Sequence, residues 1–142
     1  SIRADVLRRI GLFNRDFFAY SEDIDWCLRA RAAGIRLRYV PAARMWHRMF
    51  GASVRNGQTA VPKSSARVEF LLARNRFLLV RLHTRPGSVR RAFALAYHLF
   101  IRRLPRAAGL LLLNGRRAAG LGILKGLWAG LRLRPDPDGS RL

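Results

Sequence analysis

Cys27 is the only cysteine in the chain. An intrachain disulfide and a cysteine-based zinc site are therefore both excluded, and the chain fits a reducing compartment. Lysine is almost as scarce: Lys63 and Lys125 are the only two, although Lys and Arg together number 28. The positive charge is thus nearly all guanidinium. Asp and Glu number only 8, which leaves a formal net charge of +20. Such a balance favours anionic partners: nucleic acid, anionic lipid or phosphorylated small molecules. No Cys/His zinc spacing and no RNP-like aromatic strand is present, so nothing in the chain reads a nucleic-acid sequence. No Gly-rich phosphate loop occurs. Long apolar runs are also missing, and a membrane span needs about 20 mostly apolar residues. Arg102, Arg103 and Arg106 interrupt the best window, and each costs roughly 2.5–3.5 kcal/mol at the centre of an inserted helix.

What is there begins with the acids. Glu22, Asp23 and Asp25 stand within four positions, with Asp5 and Asp16 close by, Glu69 alone, and Asp136 and Asp138 in the tail. Ser21 reads as an N-cap, which puts Glu22 and Asp23 in the first turn of a helix, where free N–H groups and the helix dipole favour carboxylates. Gly34 reads as the residue that stops this helix. Ile24, Cys27 and Leu28 predict its buried stripe, with Glu22, Asp25 and Arg29 off that face. Capping alone would explain acids at a helix start. A chain with so few carboxylates that gathers three of them here points to a use for them.

The remaining segments divide by period and by breakers. Ile2, Val6, Leu7 and Ile10 predict a short helix ended by Gly11, and the rings of Phe13, Phe17, Phe18 and Tyr20 are expected to pack under the acidic helix. Ile35, Leu37 and Tyr39 alternate with Arg36 and Arg38, which predicts a half-exposed strand ended by Pro41. Residues 44–47 read as a second extended segment. Residues 51–65 are rich in Gly, Ser, Asn and Pro and read as a flexible loop. Residues 66–83 form the clearest helix, with Arg67, Arg74 and Arg81 on one face. A second helix is expected over 89–104, broken by Pro105, and a third amphipathic stretch over 118–133 with scattered glycines. Residues 134–142 are polar and expected to be disordered. The basic amphipathic helices suit a membrane interface or packing against the rest of the protein, and amphipathicity alone does not choose between them.

The order Ile10-Gly11-Leu12-Phe13-Asn14, then Phe17-Phe18-Ala19-Tyr20-Ser21-Glu22-Asp23-Ile24-Asp25-Trp26-Cys27-Leu28-Arg29, then Gly34, Pro41-Ala42-Ala43 and Trp46-His47, resembles the C-terminal part of a family 2 glycosyltransferase. The likeness is to the rhamnosyltransferase-like and galactofuranosyltransferase-like branch. It is dense over residues 1–50 and weaker through Arg74-Asn75-Arg76 and beyond. Asn14 stands where the family usually has Asp. The resemblance implies an α/β fold: the C-terminal portion of a GT-A, Rossmann-like domain, followed by an amphipathic α-helical tail. Residues 1–60 would be the acceptor-side part of the catalytic domain and residues 61–142 the basic, membrane-associated tail.

The resemblance also implies roles. Asp23 aligns with the general base, and Glu22 with the neighbouring carboxylate that orients the acceptor. His47 aligns with a histidine that joins a donor-bound divalent metal, Mg or Mn. Trp26 is either core or a platform for the acceptor. His83 and His98 are expected to be structural, and Asp25 and Arg29 to make local contacts. These types suit the chemistry. A carboxylate with a pKa near 3.9 is ionised at neutral pH and ready to accept a proton, and imidazole ligates a Lewis-acidic metal. Asp23-Ile24-Asp25 has the spacing of a donor metal motif but lies on the acceptor-side helix.

The expectation is therefore a fragment of an inverting, metal-dependent transferase that uses a nucleotide-sugar donor and a lipid-linked or cell-envelope glycan acceptor. It would work at the cytoplasmic face of the cell membrane, against anionic lipid, and would be inactive without an N-terminal donor-binding half. The alternative is a basic, Arg-rich nucleic-acid-binding module. That alternative rests on charge alone, and no specific nucleic-acid partner is expected.

Overall fold

A computed structural model describes residues 2–46, 54–55, 58–59, 65–112 and 116–134. The sequence patterning yields helices where the 3.6 period is clearest. Helix α1 spans Ala4–Ile10, a 3-10 turn spans Arg15–Phe17, and α2 spans Glu22–Ala32. Helix α3 spans Ala66–His83, and Ser65 caps it by accepting from the Val68 N–H at 3.3 Å. Helix α4, Val89–Ala96, starts under an equivalent cap from Ser88 to the Arg91 N–H. It runs into a π-helical segment, Tyr97–Arg103, and then into α5, Leu104–Leu112. Helix α6 spans Arg117–Arg132.

Three expectations change here. Pro105 does not break the helix. In a regular α-helix its ring would meet the carbonyl of Ile101. The chain widens into the π turn just before it, and helical backbone continues through Leu104 into α5. The strand expected over Ile35–Tyr39 does not form. Period-two alternation needs a neighbouring strand to pair with, and the only ladder among the described residues is the two-residue hairpin of β1, Val54–Arg55, with β2, Gln58–Thr59. The α/β arrangement is accordingly not seen among the described residues, whose other regular elements are helices. Of the loop expected at 51–65, the described residues include the β1–β2 hairpin positions and Ser65, and the rest lies outside the described residues, as does the expected disordered end except for Arg134.

Helix α3 is the centre. On one side it packs against α6 and α5 through Ala73, Phe77, Ala107, Leu110, Ala119, Ile123 and Leu127. The glycines of α6 make that contact close. A Cβ on Gly122 would lie 2.3 Å from the Ala66 carbonyl oxygen, and one on Gly126 would lie 2.3 Å from that of Phe70. On its other side α3 buries Leu78 and Leu79 against Phe17, with Leu28 and Leu82 alongside. Glu69, buried in α3, ties it to the following helices through Arg103 at 3.2 Å and Arg106 at 2.5 Å. None of the described helices is long and apolar enough to cross a membrane.

Candidate functional site

The turn that delivers the acidic pair is strained. Phe18, Tyr20 and Ser21 all have positive φ, at 61°, 69° and 71°. Non-glycine residues hold such conformations only where the surroundings enforce them, and such strain gathers at functional sites. Here the enforcement comes from α3. The Asn75 amide donates to the carbonyls of Phe17, Ala19 and Tyr20 at 2.9, 2.7 and 2.7 Å. Arg74 donates to the carbonyls of Asp16 and Phe17 and to the Asn75 side-chain oxygen. Asn75 is fully buried, so these bonds are not shared with water.

Ser21 is not the side-chain cap expected of it. Capping requires extended backbone at that residue, and Ser21 is left-handed and makes no side-chain cap bond. Asp23 accepts from the Ile24 N–H instead, at 2.8 Å. The other end of α2 is as expected. Gly34 at φ 76° closes it, with Gly34 N–H to Arg31 and Ile35 N–H to Ala30.

The buried face of α2 differs from the expected stripe. Ile24 is exposed, whereas Asp25, Trp26 and Ala30 are buried. Hydrophobic spacing missed this because polar partners offset the burial of Asp25. Its carboxylate accepts from Arg29 Nε at 3.0 Å and meets His83 Nε2 at 2.8 Å. Arg29 also donates to the carbonyls of Ile10 and Leu12, at 2.5 and 2.6 Å. Trp26 is 5 % exposed, and its indole N–H donates to the Gly11 carbonyl at 3.0 Å. Its ring lies 6.3 Å from that of Phe13. Of the two readings of Trp26, this geometry is that of core.

The acidic segment thus splits by role. Asp25, Trp26 and Arg29 bind α2 to α1 and to the end of α3. Asp23 is exposed, so Asp23 and Asp25 do not face one ligand together. Glu22 is half-buried, and its Oε2 is enclosed with no hydrogen-bond partner among the described residues. Burial, and then the nearby Glu22 charge, pushes the Tyr20 phenol above its usual value. Of the four rings expected under the helix, Phe17 alone is fully enclosed. Phe18 is exposed beneath the Arg67 guanidinium, 4.9 Å from its centroid.

His47 lies outside the described residues, so its place relative to Asp23 is not part of this geometry. Among the described residues no three His, Cys, Asp or Glu side chains converge as metal ligands. His98 is structural: it is buried, 3.2 Å from the Ala73 carbonyl and edge-on to Phe77. Sequence reasoning missed the Asn75 and Arg74 supports, for which it held no signal beyond a weak Arg-Asn-Arg likeness. It missed the His83–Asp25 contact entirely.

Residues 1–113 match the family described as glycosyl transferase family group 2. Over 46 residues the chain is 51% identical to Rhamnosyltransferase WbbL of Escherichia coli (strain K12), a stretch covering 32% of this chain and 17% of that protein. Over 80 residues it is 29% identical to dTDP-rhamnosyl transferase RfbF of Shigella flexneri, covering 56% of this chain and 27% of that protein. The chain therefore spans only a minor part of the length of either relative. No solved structure matches it.

Proposed function

Because the chain belongs to glycosyl transferase family group 2, we propose that it forms the acceptor side of an inverting sugar transfer, with Asp23 as the general base. The observation that carries this reading is the contrast within one turn of α2. Asp23 is exposed in the first turn of α2, directly after the strained, braced turn, while Asp25 is 1 % exposed and already paired. In an inverting transfer the acceptor hydroxyl oxygen attacks the anomeric carbon. The bond to the nucleoside diphosphate breaks, and a base takes the hydroxyl proton. In this reading Asp23 is the carboxylate that takes it. Glu22, half-buried beside Asp23, positions the acceptor in the same reading.

The relatives' names support a rhamnosyl group on a nucleotide donor. The acceptor in this reading is a cell-envelope or lipid-linked glycan, reached at the cytoplasmic face of the membrane. Donor binding is assigned to an α/β domain of the GT-A type in the complete enzyme. Metal dependence belongs to the same proposal and rests on His47 by resemblance. No step described above depends on a metal.

The test is Asp23→Asn in the complete enzyme. The variant keeps the oxygen that accepts the Ile24 N–H but loses basicity. Transfer should fall by about 10²–10⁴-fold, the usual contribution of a positioned base, with donor affinity and melting temperature nearly unchanged. If Asp23 only complements the helix dipole, stability should drop by at most about 1 kcal/mol and turnover should persist. An active Asp23→Asn enzyme would remove Asp23 from the mechanism.

A further inference from the structure

Four arginines line one cleft of about 580 Å³: Arg76 from α3, Arg90 from α4, and Arg102 and Arg103 from the π-helical segment. Arg76, Arg90 and Arg102 are exposed. Among the described residues none of these three has a carboxylate partner. Arg103 meets Glu69, but that one carboxylate is shared with Arg106. The charges are close enough to act on a common neighbour. Burial is the main cause of the low pKa of His98, about 4, and Arg103, Arg76 and Arg102 push it down further. Gathering like charges without counter-ions destabilises the free protein, and a bound anion relieves that cost. The π turn supplies two of the four arginines, and such turns recur at functional sites.

The rest of the cleft is chemically mixed. Phe93, 72 % exposed, and Tyr97 provide an aromatic wall. Ser21, the residue before the acidic pair, lines it as well. The cleft therefore adjoins the turn that presents Asp23.

We propose that this cleft is a binding subsite for a diphosphate carried on an apolar or planar organic group. Guanidinium forks match phosphate oxygens two bonds at a time, which a point charge does not do. The rings of Phe93 and Tyr97 give the organic part a surface to lie on. Two sources share this chemistry, a nucleoside diphosphate and a lipid-linked diphosphate. The subsite deepens the functional reading above and rests on it for the choice of a diphosphate; the anion chemistry stands on the cleft alone.

The experiment is calorimetric binding to the 142-residue chain at ~0.15 M salt, where long-range attraction between exposed charges is largely screened. The probes are pyrophosphate, a nucleoside diphosphate and farnesyl diphosphate. One-to-one, saturable binding of at least one of them is expected. It should weaken about tenfold or more in Arg76→Gln/Arg102→Gln, since bonds to charged groups are the strong ones. Arg8→Gln/Arg117→Gln, which removes two exposed arginines that do not line the cleft, should bind as the parent does. Tighter binding of farnesyl diphosphate than of nucleoside diphosphate assigns the lipid source, and the reverse order assigns the nucleotide. Absence of saturable binding, or equal losses in the two double variants, overturns the subsite. Arg90→Gln offers a single change in the same cleft should the double variant fail to fold, with the same direction expected. Binding is read without turnover. An active Asp23→Asn enzyme would therefore dismiss the functional reading and leave this result standing.

Discussion

Asn75 does more for the candidate site than any residue within the acidic segment. It is one side chain on α3, yet it donates to the carbonyls of Phe17, Ala19 and Tyr20 in the turn before α2, and Arg74 shares only the first of these. A buried acceptor left unsatisfied costs about 1–3 kcal/mol, so Asn75→Ala should lose at least about 2 kcal/mol in urea denaturation. The strained φ values of Phe18, Tyr20 and Ser21 would also relax, and transfer by the complete enzyme should fall with Asp23 intact. A variant within ~0.5 kcal/mol of the parent, the range of ordinary surface changes, would show that the turn holds itself. His98 makes a different residue-scale prediction. Its folded-state pKa of about 4 lies below the ordinary histidine value of 6.5. Above pH 6.5 both folded and unfolded forms are neutral, and the residue adds no pH dependence. Between 6.5 and 4 the unfolded chain takes up the proton and the folded one does not, so stability falls as pH falls. Below about 4 the effect levels off. Melting temperatures of the parent and His98→Gln across pH 7 to 4 should converge as the pH drops, and parallel curves would refute the assignment.

At the scale of elements, α3 and α6 show two kinds of regularity with different legibility. The seven-residue spacing of Arg67, Arg74 and Arg81 is visible in the sequence and puts them on one face, but it names no partner for them. In the structure each has a specific partner. Arg67 covers Phe18, and Arg74 holds the turn before α2. Arg81 donates to the carbonyls of Gly130, Leu131 and Leu133 at the end of α6. There a cation and the helix C-terminus complement each other. The glycines of α6 read as scattered in the sequence and prove to be a contact stripe. Gly→Ala gains about 1 kcal/mol in an open helix interior, but overpacking costs typically 1–3 kcal/mol. At Gly126 the added methyl would fall 2.3 Å from the Phe70 oxygen, so packing wins and Gly126→Ala should melt lower. At Gly109 in α5 nothing lies within 4 Å, and Gly109→Ala should melt higher. Shifts of the same sign at both positions would contradict the packing seen between α3 and α6.

At the scale of the molecule, exposed apolar residues occur along both parts of the chain, and those on the later helices lie among arginines. Val89, Phe93, Phe100 and Ile101 are exposed along α4 and the π segment, and Leu121, Trp128 and Leu131 along α6. Arg132 stacks 3.8 Å over the Trp128 ring. Aromatic and aliphatic surface flanked by arginine suits the headgroup boundary of a bilayer. The whole chain, with its net charge of +20, should float with anionic liposomes, bind neutral ones weakly, and be released by high salt as exposed charges are screened. Binding that survives both salt and alkaline carbonate, or equal binding to neutral lipid, would sink the peripheral reading.

The sequence by itself determined the helices of strongest period, the glycine stop after α2, and the family through the ordered run from Ile10 to Trp46. Those signals are local, carried by backbone preference and by residues adjacent in the chain. It also singled out Glu22 and Asp23 among eight acids. Only the tertiary structure decided that Asp25 is interior, that Trp26 is core, and that Pro105 lies within a continuous helix. It alone brought Asn75 to a turn more than fifty positions away in the chain, and gathered Arg76, Arg90, Arg102 and Arg103 around one cleft. The reason is physical. Burying a charged or polar group is stable only if a partner arrives with it, and those partners come from segments whose meeting no local period records.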